Sequence, residues 1–234
     1  MPQLDRQSNV FVLHLGETTG DDEHVLTTER MEQLTAQLDE IEASSGPAAL
    51  VTTGSGKFYS TGFQPERFAG DPDEVREYVM AGQRLFARVL ASEVPTVAAV
   101  QGHAFGGGAL LSAAHDVRIM RSDRGFWCLP EIQLGLVIPV GMSRLIQQRL
   151  PGPTAHQAIL TGKRYGGADA LAAGIVDAVA DEASLLTTAV AIAEQLAGTR
   201  GRVLAEMKRE LFRDALAALA SDEGIEPQTV VSGS

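Results

Sequence analysis

The chain has 234 residues, 44% of them hydrophobic and 21% charged, which is enough apolar material for one large domain or a domain with an appendage. A formal net charge of −11 argues against nucleic acid as a partner, because phosphate binding draws on a basic surface. The single cysteine, Cys128, excludes an intrachain disulfide, and no apolar run approaches the ~20 residues of a membrane span.

Taken in order, strands and helices alternate. Residues 10–15 read as a strand from their β-branched and aromatic content, closed by an acidic loop over 16–23. Met31, Leu34, Leu38 and Ile41 recur at helical spacing behind Thr27 or Thr28 as N-cap. Residues 48–52 form a second, buried-type strand that feeds the loop GSGKFYSTGF at 54–63. Val75, Tyr78, Val79, Leu85, Phe86, Val89 and Leu90 mark the apolar side of a second helix. A strand over 97–100 then passes through Gly106, Gly107 and Gly108 into a helix-forming run at 109–114. Short helices are predicted over 142–150, 154–160 and 168–173, followed by a strand over 175–179. From 183 the chain is helical to about residue 220, with a break near 198–202 and a tail over 222–234 expected to be poorly ordered. Such alternation predicts an α/β domain.

Two features carry chemistry. A strand that turns through glycines into a helix leaves backbone N–H groups unpaired where the helix dipole is positive, a corner suited to a developing negative charge. Some 20 residues on, Glu131 sits in the apolar segment 126–139, where a lone carboxylate has its pKa raised toward neutrality. An anion-stabilising corner beside one such acid points to proton transfer next to a carbonyl. The bland alternatives are tight packing at the glycines and a structural ion pair between Glu131 and Arg144.

Other features carry less. GSGK at 54–57 lacks the glycine and the Ser or Thr of a phosphate-binding loop, since Val51 and Phe58 stand there. The five histidines show no pair at ligand spacing, so no metal site is expected, and His103 and His115 read as structural. Cys128, beside Trp127, reads as packing, and Asp116 as a bond to local backbone or to Arg118.

GHAFGGG at 102–108, HDVRIM at 115–120 and LPEIQLGLVIP at 129–139 resemble the crotonase, or enoyl-CoA hydratase/isomerase, superfamily. FYSTGF at 58–63 and LTGKRYGGADALAAGIVDAV at 160–179 extend the likeness, which is closest to plant-type Δ3,Δ2-enoyl-CoA isomerases. The resemblance implies a crotonase-type ββα spiral over 1–182, with acyl-CoA binding and active site, and a C-terminal helical region and tail over 183–234 that mediates assembly into a homotrimer or dimer of trimers. It also implies an oxyanion hole from the main-chain N–H groups of Phe63 and Gly107, flanked by Gly62 and Gly106, with Glu131 as the base. Family hydratases carry a second glutamate where this chain has Leu110. Leucine cannot activate water, so the pattern favours a one-base 1,3-proton shift, with Glu66 the acid to consider if water is added after all. For coenzyme A, Lys57, Arg67 and Lys208 are the basic candidates, with Phe212 beside the adenine. No cofactor beyond the CoA of the substrate is implied. A first stretch without an apolar signal core and a C-terminus other than S-K-L make the cytoplasm the expected location.

Overall fold

A computed structural model describes residues 1–17 and 23–228; parts of the acidic loop and of the tail lie outside them. An opening hairpin, β1 (Gln3–Gln7) and β2 (Val10–His14), leads into α1 (Thr28–Ala43). Three strand–strand–helix turns follow: β3 (Ala49–Thr53), β4 (Phe58–Ser60) and α2 (Pro72–Leu90); β5 (Thr96–Val100), β6 (His103–Phe105) and α3 (Gly107–Ala113); β7 (Val117–Arg121), β8 (Trp127–Cys128) and α4 (Val140–Arg149). The chain then forms α5 (Gly152–Thr161), α6 (Gly167–Ala172), β9 (Ala178–Ala180), α7 (Leu185–Leu196), α8 (Arg202–Leu211) and α9 (Arg213–Leu219).

The first strand of each turn joins a six-stranded sheet, ordered β1-β2-β3-β5-β7-β9, and the second joins a three-stranded sheet, β4-β6-β8. Apart from the β1–β2 pair the ladders are parallel. This is the ββα spiral of the crotonase fold. β3 and β5 are buried at every residue, as parallel strands covered on both faces must be. One face meets α1, α2 and α3 in the main core. On the other, Leu185, Ala189 and Ala193 of α7, four residues apart, pack on Val10, Val12, Val51, Val97 and Ile119. Each fully buried aliphatic side chain contributes about 1.5–3 kcal/mol.

Local chemistry sets the helix starts. Thr27 caps α1, its hydroxyl accepting from Arg30 N at 3.2 Å. Asp71 caps α2 by accepting from Asp73 N and Glu74 N, with Pro72 at the first helical position. α9 folds back on α4 and α2 of its own chain, burying Ala215 and Leu219.

The expected loose tail is corrected for residues 222–228. Ile225 packs on the main core, and Gln228 donates its backbone N–H to Phe68 O at 2.7 Å. Helical periodicity cannot register such a segment, because two inward side chains in irregular backbone have no period.

Candidate active site

β4 and α3 come from successive spiral turns and meet at backbone level. A Cβ on Gly62 would stand 2.4 Å from Gly107 N, and Gly62 has a φ of +81°, so both space and conformation call for glycine. Around this contact the amides are accounted for one by one. Thr61 N donates to Glu23 O, Gly62 N to the Ser60 hydroxyl, Gln64 N to Tyr78 OH and Gly106 N to Cys128 O. Among the described residues, the N–H groups of Phe63 and Gly107 donate to no protein acceptor. Two free donors thus flank one close contact.

The Phe63 ring sits between Gly82 of α2 and Gly107. A Cβ on Gly82 would lie 2.2 Å from Phe63 Cζ, so the helix has a hole where the ring goes. Phe68, Tyr78 and Phe86 meet the ring edge to face, with centroids 5.4–6.1 Å away. Tyr78 OH, besides accepting from Gln64 N, donates to Leu26 O at 2.7 Å. The loop is therefore held from both sides.

Glu131 begins a 3-10 turn, Glu131–Leu134, on the opposite rim. Gly106, at φ +50°, presents its bare Cα to it; a Cβ there would be 3.1 Å from Glu131 Oε1. The residue as a whole is half-buried, yet Oε2 is enclosed and has no hydrogen-bond partner in the described structure. Burial raises the Glu131 carboxyl to about 7, opposed only by its own backbone amide. No other charged group is among the causes. The alternative pairing with Arg144 does not form, as Arg144 donates to Gln147. Leu110, 1% exposed, lies one helical turn past the glycines, and Glu66 is exposed on the 65–69 turn.

The basic candidates divide. Lys57 is exposed, its ammonium 5.2 Å from the Phe58 ring, and exposed Arg67 lies over Tyr78 at 4.5 Å. Lys57 also joins Arg124 and Arg164 in lowering the pKa of His103, after the larger effect of burial. Those two arginines, which sequence reasoning missed, make a local positive cluster on an acidic protein; Arg124 lies outside the motif blocks, and Arg164, within the 160–179 block, carries no distinguishing spacing. Lys208 and Phe212 are not brought to the site. Lys208 is 4% exposed, paired with Asp116 at 2.6 Å and donating to Val94 O. Phe212, 5% exposed, lies under the Arg149 guanidinium, which spans the last carbonyls around α3. Helical spacing placed Lys208 on α8 correctly, but it ran one helix through Phe212, where α8 ends and α9 begins, and could not show which side faces inward.

A groove of about 1560 Å³ runs between α1, α2 and the C-terminal helices, yet Phe63, Gly107 and Glu131 are not among its lining residues. What they form is a narrower corner, with two free donors on one wall and one enclosed carboxylate on the other. Chemically, open amide donors can hold a developing oxyanion and an enclosed carboxylate can move a proton.

Comparison with known proteins gives the family. The enoyl-CoA hydratase/isomerase family matches residues 6–231, and the chain belongs to it. It is therefore an enzyme of a superfamily that acts on acyl-CoA thioesters. Enoyl-CoA delta isomerase 3 of Arabidopsis thaliana is 30% identical over 222 residues, covering 91% of this chain and 92% of the relative. Carnitinyl-CoA dehydratase of Escherichia coli K12 is 32% identical over 165 residues, 70% of this chain and 62% of the relative. Among solved structures, the apo form of an Mtb enoyl-CoA isomerase superposes with a TM-score of 0.85 at 26% identity, covering 94% of this chain and 95% of that one.

Proposed function

We propose that this corner isomerises 3-enoyl-CoA to 2-enoyl-CoA by a one-base 1,3-proton shift. The observation that carries the reading is the enclosed, unpartnered Glu131 Oε2, with Leu110 standing where a second acid would be needed. The Glu131 carboxylate takes a proton from C2. The electron pair released spreads through the carbonyl and the C3–C4 double bond as a dienolate, whose oxygen receives the N–H groups of Phe63 and Gly107. Protonated Glu131 returns the proton to C4, leaving the double bond between C2 and C3. Atoms and charge balance without a metal or redox group. Each amide donor contributes about 3 kcal/mol in the transition state. A carboxyl poised near 7 can both accept and return the proton at neutral pH.

In this reading Lys57, with Arg124 and Arg164, receives the CoA phosphates, and Arg67 lies nearer the acyl side. Residues 1–182 supply the reacting groups and 183–234 support them. Self-association into trimers belongs to the same proposal, because α8 exposes Val203, Met207 and Leu211 on one face at 66–69%. So does residence in the cytoplasm.

A second reading, addition or removal of water, is favoured by the likeness to carnitinyl-CoA dehydratase. One assay separates the two. Purified protein is given 3-hexenoyl-CoA and, separately, crotonyl-CoA, alongside Glu131→Gln. Conversion of the 3-enoyl substrate alone, lost in the variant, is the expected result; hydration of crotonyl-CoA would overturn the one-base scheme.

A further inference from the structure

The two rims of the corner are joined by one residue. Gln228 donates its backbone N–H to Phe68 O at 2.7 Å, on the turn that follows Phe63. Its side chain clips Val137, on the loop that follows Glu131: Oε1 accepts from Val137 N, and Nε2 donates to Val137 O at 3.2 Å. An amide that satisfies both groups of one peptide residue mimics a strand neighbour, a specific fit for a glutamine side chain. Both rims lead straight to the reacting groups. The Phe68 ring meets Phe63 at 6.1 Å, and Leu136 N donates to Glu131 O at 2.9 Å.

Residues 222–228 thus form a strap. Val140 N donates to Glu223 O at its near end, and Gln228 fastens the far end. Between them Ile225 is partly buried against the main core. The outward residues Asp222, Glu223 and Glu226 are acidic and exposed. An apolar inner side with an acidic outer side repels nucleotide phosphates and suits a hydrocarbon chain. Lys57, Arg124 and Arg164 gather instead around His103.

We propose that the strap closes the acyl end of the cleft and sets the chain length this protein accepts, with Ile225 as the stop and Gln228 as the latch. A short acyl chain binds with the latch fastened. A long one must unclip Gln228 from Val137. The proposal rests on the acyl-CoA reading for its ligand class but not on the reaction, so it is tested with thioesters that cannot be isomerised.

The experiment measures dissociation constants of hexanoyl-, decanoyl- and palmitoyl-CoA for the full chain and for Gln228→Ala, Gln228→Glu and Ile225→Ala. Gln228→Glu keeps size but loses the donor and sets an anion against Val137 O. The expected result is that all three variants tighten palmitoyl-CoA relative to hexanoyl-CoA by about tenfold, a free-energy change of about 1.4 kcal/mol. Equal shifts at every length, or none, overturn the strap as a length gate. Wild-type protein that binds no thioester overturns it together with the acyl-CoA reading. Length-dependent binding without turnover of any 3-enoyl-CoA keeps the gate and sinks isomerisation alone.

Discussion

Two buried polar clusters lie on either side of α3 and have been treated in opposite ways. Past its C-terminal end, Asp116, His115 and Thr52 all have partners. Asp116 accepts from Lys208 at 2.6 Å and from Thr96 N at 2.8 Å, while His115 Nε2 meets Thr52 Oγ1 at 2.9 Å and its Nδ1 meets Leu111 O. Thr52 Oγ1 in turn meets Tyr59 OH at 2.8 Å. At the glycine end, Glu131 Oε2 and the amides of Phe63 and Gly107 have no partners among the described residues. Leaving a buried acceptor unpaired costs about 1–3 kcal/mol, more when it is charged. A fold that pairs Asp116, His115 and Thr52 at one end and leaves one carboxylate oxygen and two amides open at the other has left the second to be completed by something that arrives. Burial and charge alone do not separate the two; completeness of bonding does.

The contrast can be broken most decisively at its functional side. Glu131→Gln should lower kcat on 3-hexenoyl-CoA by about 10³-fold while acyl-CoA affinity holds; a variant with near-normal turnover would reassign the base. On the other side, Lys208→Met leaves the half-buried Asp116 without its counter-ion and should cost about 3 kcal/mol in urea unfolding, the low end for a buried pair. CoA affinity, measured on the folded fraction, should not move. A large loss of affinity at unchanged stability would return Lys208 to the ligand site.

The two clusters also predict opposite responses to pH. Glu131 has its folded pKa raised to about 7, so the wild type loses stability as pH climbs from about 4.5 through 7. Glu131→Gln escapes this loss and should be the more stable protein by about 3 kcal/mol at pH 8.5, with no advantage below pH 4.5. His115 has its folded pKa lowered to about 4 by burial, so its contribution is present above 6.5 and is lost as pH falls toward 4. His115→Gln should flatten that acid limb by about 3 kcal/mol. Parallel pH profiles for both variants and the wild type would contradict the assignment. Smallest is Thr52→Val, which strips the shared hydroxyl from Tyr59 and His115. A loss of about 1–3 kcal/mol is expected, with Thr52→Ser recovering most of it.

Much of this was legible in the letters. The helices α1 and α2 follow from apolar spacing, and the glycine corner, Phe63, Gly107 and Glu131 follow from motif blocks that lie far apart in sequence and meet in the structure. The strands of the small sheet were not, because two or three residues each carry no measurable alternation. β9 appears at 178–180 rather than at 175–179, since Ile175 and Val176 are buried as a connection and not as a ladder. Asp116 bonds Thr96 and Lys208, not Arg118, which pairs with Asp177. Charge partners are chosen across the fold, and spacing along the chain says nothing of them. Gln228 was invisible for the same reason, its partners being 91 residues and more away.

The contact between Gly62 and Gly107 is made by main-chain atoms, and the two open amides beside it are main-chain atoms too. The lock and the groups it aims are therefore written in backbone conformation, while the side chains around them serve mainly to fill space. Drift in sequence and constancy of the site become compatible. Residues around the corner can be exchanged and the corner kept in register, provided glycine stays where a β-carbon would prise two turns of the spiral apart.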